Sequence, residues 1–176
     1  DFISSNIILK FSKNELLFKP YKIINFNGKK IALIGLTSKF ESNDIDFIEP
    51  SIALEKTLSQ IENQFDISIL LFNATEQDLN LIYDKNFNID LIIKSKGRTR
   101  SNDGGSNIPT FIAGDRGKLL YKFELNLKDK LLPFVDIAWC NNTISRVESR
   151  LNKMKKGDLN INLFELYKND IVTLNR

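Results

Sequence analysis

Between residues 21 and 93 the apolar positions fall into two alternating kinds of pattern. Short solid runs are separated by stretches in which apolar residues recur three and four apart. Residues 21–26 lead into Asn27-Gly28, the dipeptide most favourable to a type I′ hairpin turn, and residues 29–36 lead out of it. The run 31–36 is apolar without alternation, as expected for a strand covered on both faces. Pro50 can open a helix, and Ile52, Leu54, Leu58 and Ile61 place apolar groups on one side of it through about Gln64. Residues 66–72 form a second buried-strand pattern. Thr75 with Asp78 resembles a helix N-cap, and Leu79, Ile82 and Tyr83 give the segment behind it an apolar face. Residues 89–93 are a third solid run. Strand, helix, strand, helix, strand at this spacing predicts right-handed βαβ units, a partly parallel sheet and the α/β class.

The pattern changes beyond residue 93. A polar loop covers 101–107, and the runs 108–113 and 118–127 follow, joined by Gly114-Asp115-Arg116-Gly117. No helix follows that joint, so it reads as a turn and not as a phosphate cradle. Leu119, Tyr121, Phe123, Leu125 and Leu127 alternate, which predicts a half-buried antiparallel strand. From Asn142 the period becomes helical, with Ile144, Val147, Leu151 and Met154 on one stripe and a basic close at 153–157. That stripe reads either as a seam for a protein partner or self-association, or as a face packed on its own domain. Phe164, Leu166, Tyr167 and Ile171 extend apolar character into the tail. The expected organisation is an α/β domain over 1–138 and a helical extension over 139–176.

Composition narrows the chemistry. A chain of 176 residues with 42% hydrophobic and 27% charged residues can build one domain with a sizeable core. It contains no histidine, which excludes a Ser-His-Asp or Cys-His pair, a histidine base and any imidazole-dependent metal site. The single Cys140, beside Trp139, excludes an internal disulfide and reads as a small buried hydrophobe. The 25 cations against 22 anions make a mixed surface, and the 13 Phe are not interleaved with cations, so no nucleic acid is expected as a partner. No run reaches the length of a membrane span. The chain opens on Asp1 without a signal pattern and reads as a fragment or a processed product. Glu41, Asp44 and Asp46 lack the spacing of a calcium loop and read as a solvated patch.

Taken in order, residues 18–21, 31–36, 66–72 and 90–93, then Ile112-Ala113-Gly114 with Gly117-Lys118, resemble the calcineurin-like metallophosphoesterases. Within them the chain is most similar to the bacterial 5′-nucleotidase and 2′,3′-cyclic phosphodiesterase branch. The similarity covers roughly residues 1–128 and corresponds to the C-terminal half of that catalytic domain, with residues 4–7 resembling the stretch after the family's Asn-His-Glu segment. It implies part of a four-layer αββα sandwich with mixed sheets, plus a C-terminal helix. In the family, histidines following two of these strands help hold a dinuclear metal centre, and the matching positions here are Asn73, Lys96 and Arg98. Lysine and arginine offer donors only and bring positive charge to a dication site. The resemblance thus implies a degenerate centre without cofactor or catalytic residue: a pseudo-phosphoesterase serving assembly, protein interaction or anion recognition. The alternative is a fragment of a working nucleotidase with an unusual ligand set built on Asp90, Asn73 and Asp115. An exported, cell-envelope or periplasmic location also follows from the resemblance alone, with the cytoplasm left open.

Lys94, Lys96, Arg98 and Arg100 form a basic cluster on an expected strand-end loop. One reading is a phosphate-like anion site, with Arg98 forking the oxygens and Lys96 as a point charge. The other is a solvated loop whose cations keep the chain soluble.

Overall fold

A computed structural model describes residues 2–11, 15–95, 108–112, 120, 122–127, 133–155, 160 and 162–168. The order of elements is β1 (Ile7–Leu9), β2 (Tyr21–Phe26), β3 (Lys29–Thr37), β4 (Ile45–Phe47), α1 (Pro50–Gln60), β5 (Ile67–Asn73), α2 (Glu76–Asp84), β6 (Leu91–Lys94), β7 (Thr110–Ile112), α3 (Ile137–Met154) and α4 (Leu163–Tyr167). The chain divides into two compact units, Asp1–Phe134 and Val135–Arg176. The boundary expected after residue 138 falls inside α3.

In the first unit a five-stranded sheet has the order β2-β3-β5-β6-β7, and β1 pairs with β4 in a separate two-stranded sheet. The β2–β3 hairpin turns through Asn27 and Gly28 at φ 50° and 74°, the left-handed region that the type I′ turn demands. β3, β5, β6 and β7 are mutually parallel. The crossovers through α1 and α2 step in the same direction along the sheet, which places both helices on one face. There Ala32, Ile34, Leu36, Leu70, Phe72 and Ile92 cluster with Ala53, Leu54, Leu79 and Ile82 of the helices. On the other face Ile31, Leu33, Ile69, Leu71 and Ile93 are only half-buried, so the complete cover expected of the solid apolar runs holds on one side.

Beyond Ile34, which pairs with Tyr21 at the start of β2, the segment 3–6 takes the place of β2 beside β3. The Ser5 amide and hydroxyl both donate to the Gly35 carbonyl at 2.8 Å. A Cβ on Gly35 would lie 2.3 Å from the Ile3 carbonyl oxygen, so only glycine permits this approach. Asn6, fully buried, accepts from the Thr37 amide at 3.1 Å and donates to the carbonyls of Thr37 and Ile48 at 2.7 and 3.1 Å.

Four expectations change. Ile52 points outward, because the buried side of α1 runs through Pro50, Ser51, Ala53, Leu54 and Thr57. Residues 122–127, expected as a strand, have no strand structure, and Leu120, Phe123 and Leu125 are exposed. Alternation orders side chains about a strand, but a strand also needs a neighbour for its ladder, and the described pairing of β7 is with β6 alone. The helix expected from Asn142, α3, begins five residues earlier, because the Asp136 carboxylate accepts from the Trp139 amide at 2.9 Å and caps it. That start brings Cys140 into the helix, where it is half-buried and not a core residue. Within the second unit the Tyr167 hydroxyl donates to the Met154 carbonyl at 2.9 Å and satisfies one of the open carbonyls at the end of α3.

Candidate functional site

Parallel strands of α/β sheets present ligands at their carboxyl ends, where the chain leaves the sheet for a loop or helix. Here β3, β5 and β6 finish side by side at Thr37, Asn73 and Lys94, since Thr37 pairs with Asn73 and Phe72 with Lys94. The edge is tied across strands: the Ser38 amide donates to the Asn73 carbonyl at 2.9 Å and the Ser95 amide to the Phe72 carbonyl at 3.1 Å.

The side chains of this edge bond to one another. Ser95 donates its hydroxyl to Asn73 Oδ1 at 2.7 Å, and Asn73 Nδ2 donates to Thr37 Oγ1 at 3.3 Å. Thr37 in turn donates to the Ser38 carbonyl at 3.2 Å. Ser38 Oγ accepts from the Thr75 amide at 2.7 Å, which fixes the residue that caps α2. Thr75 Oγ1 accepts from the Asp78 amide at 3.2 Å, as its sequence position predicted. Glu76 and Asp78 then stand in the first turn of α2, where carboxylates complement the helix dipole.

Lys94 is the one member of the basic cluster among the described residues. Lys96, Arg98 and Arg100, and with them two of the three degenerate metal-site positions, lie outside the described residues. Lys94 is the last residue of β6 and only 3% exposed, and its ammonium forms an ion pair with the Glu76 carboxylate. Its charge is neutralised within the fold and is not presented on a solvated loop. The solvent-facing partner is Glu76, whose side chain is 74% exposed.

Of the three positions that match the family's metal ligands, Asn73 alone is described. Among the described residues no three of His, Cys, Asp and Glu converge on one point. One of the two lone pairs of Asn73 Oδ1 already accepts the Ser95 hydroxyl, and the ammonium of Lys94, on the opposite face of the sheet, has none to offer. Of the alternative ligand set, Asp90 and Asn73 are not brought together. Asp90 accepts from the Ser68 amide and hydroxyl at 2.8 Å, level with the start of β5 and so at the opposite edge of the sheet from Asn73. Five residues of strand separate those levels, roughly 16 Å. Asp115 lies outside the described residues. Of the acidic patch, Asp46 lies in β4 and its carboxylate accepts from the Phe47 amide at 2.9 Å, while Glu41 and Asp44 are exposed.

Sequence reasoning singled out Asn73 and Lys94 but missed Thr37, Ser38, Ser95 and Glu76. The signal that finds them is the parallel register: each lies within four residues of the end of a predicted strand.

The fold has solved counterparts. A putative 5′-nucleotidase from Staphylococcus aureus matches with a TM-score of 0.52 at 14% identity, over 62% of this chain and 26% of that one. A sulfate thiohydrolase from Thermus thermophilus matches with a TM-score of 0.51 at 19% identity, over 64% of this chain and 22% of that one. This chain thus spans about a quarter of the length of these proteins. No protein-family model matches it, and neither does any curated protein. The likeness shows the fold alone: a mixed α/β architecture with a five-stranded mixed sheet and its helices.

Proposed function

From that fold we propose that the chain is a metallophosphoesterase-like domain without metal-dependent catalysis, retained for assembly with protein. The observation that carries the reading is the strand-end edge, where Asn73 is clamped between Ser95 and Thr37 and Lys94 is held by Glu76. Two-metal hydrolysis needs an open set of lone-pair donors that hold both ions and leave room for the attacking water. This edge instead uses its donors and acceptors on itself. The described residues contain no helix long and apolar enough to cross a membrane.

Assembly is favoured over anion recognition by the state of Lys94. An anion site in this loop rests on Lys96, Arg98 and Arg100, because the ammonium of Lys94 is engaged. Assembly is supported by α3, an 18-residue helix without a single buried residue, on which Ile137, Ile144, Val147 and Leu151 are exposed. The exported location implied by the resemblance belongs to the same reading and is checked by cell fractionation. The deciding experiment is an assay of the purified chain with nucleotide monophosphates and cyclic phosphodiesters in the presence of manganese, zinc or iron. No turnover above the metal-only blank is expected, and activity lost on dialysis against chelator and restored by metal would overturn the proposal.

A further inference from the structure

The start of α3 at Ile137 changes the character of its apolar stripe. Ile137, Cys140, Ile144, Val147, Leu151 and Met154 step three and four residues in strict alternation, from the first residue of the helix to the last. This is the a/d pattern of a coiled-coil seam, with Ile137, Ile144 and Leu151 at a and Cys140, Val147 and Met154 at d. The flanking e and g positions are polar throughout: Asn141, Glu148 and Lys155 on one side, Asp136, Thr143 and Arg150 on the other. Ile137, Ile144, Val147 and Leu151 are exposed, Ile144 at 54% and Leu151 at 40%, while Cys140 and Met154 are half-buried.

We propose that α3 pairs with α3 of a second copy of this chain in antiparallel orientation. The inference rests on the assembly reading above and names its partner. Two observations select the occupant and its direction. The first is side-chain volume. In a parallel pair each seam residue meets its own copy, giving narrow Cys140–Cys140 and Val147–Val147 layers between wide isoleucine and methionine ones. In an antiparallel pair Ile137 meets Met154, Cys140 meets Leu151 and Ile144 meets Val147. Every layer then joins a larger side chain to a smaller or more flexible one, and the seam fills evenly. The second is charge. A parallel pair sets Arg150 at g against Lys155 at e of the partner, on both sides of the dimer. The antiparallel pair sets Arg150 against Thr143 and Glu148 against Asn141, with no like charges facing.

Cys140 provides the readout. Disulfide formation needs Cα atoms within about 7 Å. In the antiparallel pair the two Cys140 are eleven residues apart along the axis, about 16 Å at 1.5 Å per residue, whereas Cys140 and residue 151 of the partner share a layer. The experiment uses the full chain at high micromolar concentration, by sedimentation velocity and by copper-phenanthroline oxidation on non-reducing gels. The expected result is a species of twice the monomer mass that does not cross-link as wild type but does as Leu151→Cys. Ile144→Glu, at an exposed position outside the α/β core, is expected to weaken dimerisation by about tenfold or more, since it places a charge in an apolar layer. Efficient cross-linking of the wild type through Cys140 would overturn the antiparallel arrangement. A monomer at every concentration would overturn the pairing itself, and one that cosediments with phosphatidylcholine–phosphatidylserine vesicles would reassign the stripe to a lipid surface. None of these outcomes touches the metal assay, so failure of the pairing and failure of the non-catalytic reading are read separately.

Discussion

The Ser95 hydroxyl donates to the Asn73 side-chain oxygen at 2.7 Å, so the one lone-pair donor at a degenerate ligand position among the described residues is already engaged. A divalent ion would have to share that oxygen with the Ser95 hydroxyl. Any ion that binds only the folded state raises its stability, by about 2.7 kcal/mol at a hundredfold excess over the dissociation constant, which is several degrees of melting temperature. We therefore expect the melting temperature to stay within about 1 °C on dialysis against EDTA and on addition of millimolar manganese or zinc, at the noise of such a scan. Differential scanning calorimetry checks this, and a rise of several degrees with either metal would show that the edge binds it.

The Lys94–Glu76 pair is asymmetric, with one end in the sheet and the other in water. Removing the exposed partner strands a buried ammonium, whereas removing the buried one leaves a carboxylate that water solvates. Glu76→Gln is expected to cost about 1–2 kcal/mol, below the 3–5 kcal/mol of a pair buried at both ends. Lys94→Met keeps the aliphatic packing and is expected to be neutral within about 1 kcal/mol or stabilising. Urea unfolding of the two variants and of the double variant tests the order. Equal costs for the two single changes would contradict it.

Asn6 closes the joint between the segment 3–6, the end of β3 and the residue after β4. Asn6→Leu leaves the amide and carbonyl of Thr37 and the carbonyl of Ile48 buried without their partners. Each unsatisfied group costs about 1–3 kcal/mol, partly recovered by relaxation, so a loss of about 3 kcal/mol is expected. Asn6→Asp is expected to be at least as damaging, because it turns both donated bonds into contacts between a carboxylate and carbonyl oxygens. Chemical denaturation gives the magnitudes, and amide exchange at Thr37 shows whether the loss is local to this joint.

The contrast between Asn6 and Asn27 explains how much of the molecule was legible in the chain. Asn27-Gly28 acts on its own backbone, so a dipeptide sufficed to predict its turn, and Thr75 with Asp78 predicted the cap of α2 for the same reason. The order of β3, β5 and β6 followed from apolar runs that report burial directly. Asn6 works through partners 31 and 42 residues away, and nothing in its neighbours announces them. Lys94 looked like a member of a soluble basic loop because Lys96, Arg98 and Arg100 follow it. One residue of strand register decides otherwise, placing its side chain on the helix side of the sheet near the start of α2. The early start of α3 was legible in principle, since Asp136 three residues before Trp139 is a capping pattern, but the apolar Ile137-Ala138-Trp139 behind it masked the helical period.

Glu49 supplies a titratable test of the same local physics. It precedes α1, and its carboxylate accepts from the amides of Ser51 and Ile52 at 3.1 and 3.0 Å and from the Ser51 hydroxyl at 2.7 Å. Lys85 donates to that hydroxyl at 2.6 Å. Burial alone pushes the Glu49 carboxyl up, but the Ser51 side chain, the two amides and the positive charge of Lys85 together outweigh it and hold the group below its ordinary value of 4.5. A carboxyl lowered by folding adds stability that is complete above its ordinary value and is lost as pH falls through the lower value of the folded state. Glu49→Gln is therefore expected to cost about 0.5–1 kcal/mol at neutral pH, the low end of a helix cap because the side chain is exposed to screening water. The difference between wild type and variant should hold constant from neutral pH to near 5, shrink below 4.5 and vanish in stronger acid. Urea midpoints of the two proteins measured at closely spaced pH values give the curve directly. A difference that grows on acidification would mean that Glu49 is held in its protonated form, and that the cap works by another bond.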